Sequence, residues 1–505
     1  MQKTLTVGKP WRVILLFALP LMLGNVVQQL YQVVDAMVVG QHLGVDALAA
    51  VGTTSGLLFL LTGFAWGTAS GLAIPTAQAF GAGDYAAVHR SVAAGTVLAG
   101  AISIAITAIG TFFARDLLVL LQTPESLLDE ATVFATVTFA GSVATMFFNY
   151  LSSIIRAIGD SRTPLIFLVI ACFVNMGLVV GLVGFAGLGV GGAAASTVAA
   201  QILSVILCFV YLRRSIPVLR VKREDWRPGM KEIGRHLQIG LPMGFQASII
   251  AIGALAVQIR LNTIGEDAVA AYTTAARLDG LAVGILNSIG IAVSTFVAQN
   301  YGAGLFSRIL VGVRDARRIS IGIALAMAAI LITAGDPIIR GFVGSGSDDV
   351  VAMAHEYLVV NGSLYFLLGI LFVTRAGLQG MGDTLIPTIS GILELSMRIV
   401  AAVVLGGIFG FVGIIWDNPL AWFGALLILL PSWMLAKKKL EARAANEPLI
   451  GDGSNESRGT AQELGSQLSE APIALEAGES DLASDVREAA PSEAILEPYG
   501  DALVK

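Results

Sequence analysis

Charged side chains are scarce in this chain. Asp, Glu, Lys and Arg make up 13% of its 505 residues, against 55% hydrophobic residues. Soluble domains carry about 25% charged residues, so a water-soluble globule is excluded. Cysteine is nearly absent as well. Cys172 and Cys208 each lie in an apolar run and no Cys-x-x-Cys occurs, which leaves two buried thiols and neither a disulfide framework nor a thiolate metal site. The four histidines, His42, His89, His236 and His355, are scattered without zinc spacing. The sequence holds no Gly-x-Ser-x-Gly, no P-loop and no dinucleotide fingerprint. It therefore predicts no enzyme, no cofactor and no direct use of ATP.

What the chain has instead is apolar runs near 20 residues long, the mark of a polytopic membrane protein, with a mean hydropathy of +0.79. Twelve spans are predicted, at 15–39, 47–78, 92–112, 129–150, 164–184, 191–212, 237–258, 268–299, 317–334, 351–374, 386–406 and 415–435. Lys3 and Lys9 before the first run resemble a signal peptide, but the run continues too far and no small-residue cleavage site closes it. With the N-terminus inside, the cytoplasmic segments, Arg156 and Arg375 among them, hold 23 Lys and Arg and the outer loops three. By the positive-inside rule both termini are cytoplasmic. The basic stretch 213–235 reads as a topology and lipid-surface element rather than a nucleic-acid site. From Ala444 onward 13 acidic residues face three basic ones. Residues 441–505 read as a disordered acidic tail, either dispensable or a docking segment.

The chain also repeats itself. Ala18-Leu19-Pro20 matches Gly240-Leu241-Pro242, and Gly44-Val-Asp-Ala-Leu-Ala-Ala50 matches Gly265-Glu-Asp-Ala-Val-Ala-Ala271. Gln78-Ala-Phe-Gly-Ala-Gly83 matches Gln299-Asn-Tyr-Gly-Ala-Gly304, and Arg156-Ala-Ile-Gly-Asp160 matches Gln379-Gly-Met-Gly-Asp383. The offset is 221 to 223 residues throughout. The predicted architecture is all-α: a six-helix lobe over 1–212, a basic cytoplasmic linker over 213–236 and a second six-helix lobe over 237–440. An even number of spans per copy gives both lobes the same orientation, about an axis along the membrane normal. The natural substrate site is the cavity between them.

The first span carries a polar stripe. Asn25, Gln28, Tyr31, Gln32 and Asp35 fall on one face at about 100° per residue. Such a stripe must face other helices or a water-filled cavity, and its carboxylate is a candidate proton or ion relay. A structural carboxylate satisfied by its neighbours is the competing reading. In the second lobe the aligned positions are Ile250 and Val257, so the stripe is not repeated. The eleventh span carries Glu394 and Arg398, one turn apart and suited to an intrahelical ion pair. That pair has a structural reading and a substrate or proton reading. Arg277 and Asp279 in the eighth span read as structural, as do the two Gly-Asp loops.

These motifs, in this order and twice over, resemble the multidrug and toxic compound extrusion transporters, most of all their DinF-like bacterial branch. The resemblance runs from about Leu15 to Leu435. It rests on Leu19-Pro20, the Gln28, Tyr31 and Asp35 stripe, the repeated loops and Pro419-Leu-Ala-Trp422. It implies cation-coupled antiport of small organic, often cationic or amphipathic, compounds by alternating access, in a monomer surrounded by lipid. The positions matching the family's cation-linked residues are Asp35, Asn175 and Thr197, with Asn175 in reach of Asp35. Thr197 and Gln201, four apart on the sixth span, resemble cavity-lining residues, helix–helix contact being the alternative. Gln28, Tyr31 and Gln32, one or two turns from Asp35, are placed to pass hydrogen bonds or contact substrate in the cavity. Pro20 matches the proline at which the first helix bends, a static kink being the alternative. Family members often carry an Asp four residues after the Asn of the fifth span, and here that residue is Val179. Hard cations take several oxygen ligands while a proton needs one acceptor, so the loss favours proton over sodium coupling. A lipid-linked precursor flippase of related fold is the alternative. It would need a strongly cationic cavity.

Overall fold

The computed structural model describes residues 4–343 and 348–446. Among them it has ten helices long and apolar enough to cross a membrane and two bent helix pairs that each make one further crossing. In chain order these are α1 (Pro10–Gly44), α2 (Asp46–Gly81), α3 (Tyr85–Phe112), the bent pair α4 (Glu125–Ala140) and α5 (Ser142–Ala157), α6 (Arg162–Phe185), α7 (Gly189–Ser215), α8 (Met230–Asn262), α9 (Glu266–Gly302), α10 (Phe306–Thr333), the bent pair α11 (Asp348–Ser363) and α12 (Tyr365–Gly380), α13 (Leu385–Phe409) and α14 (Phe411–Ala444). The twelve predicted spans coincide with these crossings, and several helices extend past the apolar run. Large apolar side chains such as Ile104, Phe173 and Phe185 are exposed on the outer faces, as lipid contact requires. Of the acidic tail, residues 447–505 lie outside the described residues. Residues 441–444 complete α14.

Local structure repeats at the sequence offset. Gly44 and Gly265 both take positive φ, 88° and 142°, where a Cβ would be strained. At each, two long helices join through a turn. The bends at α4/α5 and α11/α12 measure 45° and 49°. Wider π-helical turns end α6 at Val180–Phe185 and interrupt α13 at Ala401–Leu405. Pro20 lies inside α1, and the backbone stays helical through it. The structure thus shows no break at this proline.

The two halves meet where small residues let helices approach. Gly56, Gly63, Gly67 and Gly71 run along one face of α2. A side chain there would meet Leu255, Ala247, Met243 and Gly240 of α8. Asn25 of α1 ties the other contact, donating to the Gly284 carbonyl at 3.2 Å and to Ser288 Oγ at 2.8 Å, both on α9.

Candidate functional site

Four of the polar residues predicted from the first half come together. Tyr31 Oη donates to Thr197 Oγ1 at 3.0 Å, linking α1 to α7. Asn175 of α6, 1% exposed, donates to Thr197 Oγ1 at 3.3 Å and to Ser196 Oγ at 3.4 Å. Asp35 follows Tyr31 by one turn, and its Oδ1 is buried with no hydrogen-bond partner among the described residues. Asn175 therefore bonds to the α7 hydroxyls and not, as the resemblance implied, to Asp35. Gln28 and Gln201 line a small cavity of about 40 Å³ with Tyr31, Cys172 and Thr197. The Gln201 Oε1 is itself buried without a partner. Gln32 is exposed and outside this group. Val179 is fully buried in an apolar cluster with Val39 and Val183. Since Val39 is one turn past Asp35, packed methyl groups fill the region beside the carboxylate.

The second half corrects the sequence reading. Glu394 and Arg398 do not pair with each other. Glu394, 4% exposed, pairs with Arg375 of α12, a residue the sequence places in a loop. Arg398 instead reaches Asp417 of α14 at 3.2 Å. Helical spacing favours the i+4 neighbour, but buried charges take whichever partner the tertiary fold brings. Removing one side of a buried pair costs about 3–5 kcal/mol. Glu394→Ala is thus expected to lower the thermal midpoint of the purified protein sharply, and the Arg375→Leu/Glu394→Leu double variant to recover most of it. A single variant as stable as wild type would contradict the pairing.

Asp417 is the residue the sequence reading missed. It is fully buried, accepts from Tyr272 Oη at 3.2 Å, and leaves Oδ1 unpartnered. Nearby Asp279 accepts from Tyr365 Oη at 2.7 Å and makes no pair with Arg277, which is exposed. At the repeat offset, Arg398 occupies the place of Asn175, Asp417 that of Ser196, and Gly253 that of Tyr31. A Cβ on Gly253 would strike the Arg398 stem. The hydrogen-bonded network of one half is thus an ion pair in the other, with room made by a glycine.

At one end of the molecule the repeated Gln-x-[Phe/Tyr]-Gly-Ala-Gly motifs interlock. Gln78 Nε2 donates to the Gly380 carbonyl at 2.9 Å, and Gln299 Nε2 to the Ala157 carbonyl at 2.7 Å. Each glutamine thereby satisfies a terminal carbonyl of the other half's bent crossing, one of the groups a helix end leaves free. Their Oε1 atoms accept from Arg235 Nη2 at 2.7 Å and from the Leu5 amide at 2.8 Å. A Cβ at Gly81 would fall on the Gln299 carbonyl, and one at Gly302 on the Gln78 carbonyl. The backbones of α2 and α9 therefore cross here at contact distance. Directly inside this seal lies a cavity of about 140 Å³, walled by α2, α5, α8, α9 and α12.

Twelve crossings in two repeated sets, with buried polar groups at membrane depth and a cavity closed at one end, define an integral membrane transporter. The chain belongs to the MatE family, whose model matches it twice, over residues 20–180 and 242–404. Among its relatives is the "Probable multidrug resistance protein YoeA" of Bacillus subtilis, 30% identical over 393 residues, or 76% of this chain and 84% of the relative. The "Probable multidrug resistance protein NorM" of Thermotoga maritima is 26% identical, over 74% of this chain and 80% of the relative. Among solved structures, MATE in a bent conformation superposes with a TM-score of 0.80 at 22% identity, covering 87% of this chain and 98% of that one. An outward-facing multidrug resistance MATE transporter of the MOP superfamily gives the same score and coverage.

Proposed function

We propose that the chain exports small organic compounds across the plasma membrane in exchange for protons, with Asp35 as the exchanging group. The observation that carries this is the buried, unpartnered Asp35 carboxylate oxygen beside the Tyr31–Thr197–Asn175 network. A carboxylate without hydrogen bonds or a counter-charge is unstable in a low-dielectric interior, and taking up a proton relieves it. Opening to water, or a rearranged network, stabilises the charged form and releases the proton. This alternation is what antiport requires. Sodium would need several oxygen ligands, and the valine packing at Val179 offers none. Multidrug relatives of this length and identity support the compound class.

In this reading the sealed end is cytoplasmic, because Arg235, Arg308 and Arg443 bond around it. The structure is then the outward-facing state. Breaking the Gln78 and Gln299 contacts and separating α2 from α9 opens the inward-facing one, and residues 1–212 and 237–440 move as the two lobes.

The test uses purified protein in liposomes, following ethidium under an imposed pH gradient or an imposed sodium gradient. Accumulation driven by the pH gradient is expected. Accumulation driven by sodium alone would contradict the coupling proposed, and none under either gradient would contradict export of organic cations.

A further inference from the structure

We propose that the cavity inside the seal holds an oxyanion-binding subsite at Arg156, which takes the carboxylate or phosphate group of an amphipathic compound. This deepens the export reading by naming a chemical class that can occupy the cavity. Among the described residues, two guanidinium groups line this space, Arg156 of α5 and Arg375 of α12, and no aspartate or glutamate does. Arg375 is neutralised from behind by Glu394. Arg156 is not: among the described residues it has no carboxylate within salt-bridge distance. Its hydrogen bond goes to Ser153 Oγ, 2.7 Å away on its own helix.

A guanidinium presents five donors in a planar fork suited to two oxygens of one anion. One hydroxyl leaves most of that fork unused. Arg156 is half-buried in the cavity wall. A positive charge partly withdrawn from water and without a counter-charge is under-compensated, and an incoming oxyanion supplies the missing partner. Asn287 and Gln379 add neutral polar groups around it, while Trp66, Ile291 and Phe372 supply apolar wall for the rest of the molecule. A permanent cation placed in the same position would meet an uncompensated guanidinium.

One uncompensated guanidinium falls short of the strongly cationic cavity that lipid-linked precursors would need, yet it suits a single oxyanion from either source. The shared chemistry is an oxyanion on an apolar body, carried by a free compound or by a lipid headgroup. The experiment separates the two. Binding of 11-(dansylamino)undecanoic acid and of its methyl ester is followed by fluorescence on full-chain protein in nanodiscs. One set is of phosphatidylcholine alone and a second contains phosphatidylglycerol. Wild type is expected to bind the acid at least tenfold more tightly than the ester. Arg156→Gln should weaken the acid at least tenfold and leave the ester unchanged, and Arg156→Lys should retain most of the acid's affinity. Unchanged ester binding shows that the variant is folded. Loss of acid binding in phosphatidylglycerol discs assigns the subsite to a lipid headgroup, and its persistence assigns it to a free compound. Either result keeps the subsite. Equal affinity for acid and ester in wild type, or an Arg156→Gln variant that binds the acid normally, would overturn it. Because binding needs no gradient and the comparison is between acid and ester on one protein, the outcome stands apart from whether a pH gradient drives transport.

Discussion

Asp35→Asn is expected to reduce pH-gradient-driven transport in liposomes at least tenfold, while substrate still exchanges down its own gradient. The asparagine has nearly the same shape and cannot exchange a proton. Tyr31, Thr197 and Asn175 keep their mutual bonds, because none of those bonds involves Asp35. The fold should therefore survive, and thermal stability should stay close to that of wild type, since Asp35 is half-buried and gives up no hydrogen bond. Full coupled transport in the variant would contradict the proposal. The exchange would then have to be sought in the second half, where Asp279 accepts from Tyr365, Asp417 pairs with Arg398, and one Asp417 oxygen has no partner among the described residues.

The second large effect concerns the seal. Gly81→Val or Gly302→Val should stop α2 and α9 from closing, because the added carbons would occupy the position of the facing backbone carbonyl. Overpacking against side chains costs about 1–3 kcal/mol, and backbone at a crossing yields less readily than side chains do. The measurement is labelling of an Ala298→Cys reporter by a membrane-impermeant thiol reagent applied from the sealed side, with Cys172 and Cys208 replaced by Ser. The buried Ala298 is expected to be protected in the parent and labelled at least tenfold faster in either glycine variant. Coupled transport should fall in parallel. Gly52→Val is the control, since a Cβ there meets nothing within 4 Å. Protection unchanged in the glycine variants would mean that this crossing is not the gate.

Much of this was legible in the sequence for physical reasons. Hydrophobic run length gave the crossings, because lipid forces each to be a self-satisfied helix. The stripe on α1 announced its own face through helical periodicity, and Tyr31, Gln28 and Asp35 lie in or beside the α1–α6–α7 contact. Partner choice across helices was not legible. Glu394 has Arg398 as its i+4 neighbour, yet it pairs with Arg375 on another helix. Arg375 itself looked like a loop residue because a hydropathy window ends where charge begins. The signal that could have found the true arrangement was the duplication. Aligning Asn175 with Arg398 and Ser196 with Asp417 places a cation and an anion where the first half has a hydrogen-bonded pair. The repeated Gln-x-[Phe/Tyr]-Gly-Ala-Gly motif was visible, but its role was not. Its function depends on carbonyls at Ala157 and Gly380, which no local pattern connects to it.

Proton release on substrate binding tests the central claim most directly. Ethidium is added to purified protein in weakly buffered detergent solution at mildly acidic pH, where Asp35 starts protonated, and the protons released are counted with an indicator dye. Wild type should release close to one proton per compound bound, and Asp35→Asn should bind without release. Equal release from both proteins, or binding by wild type with no release at all, would contradict Asp35 as the exchanging group.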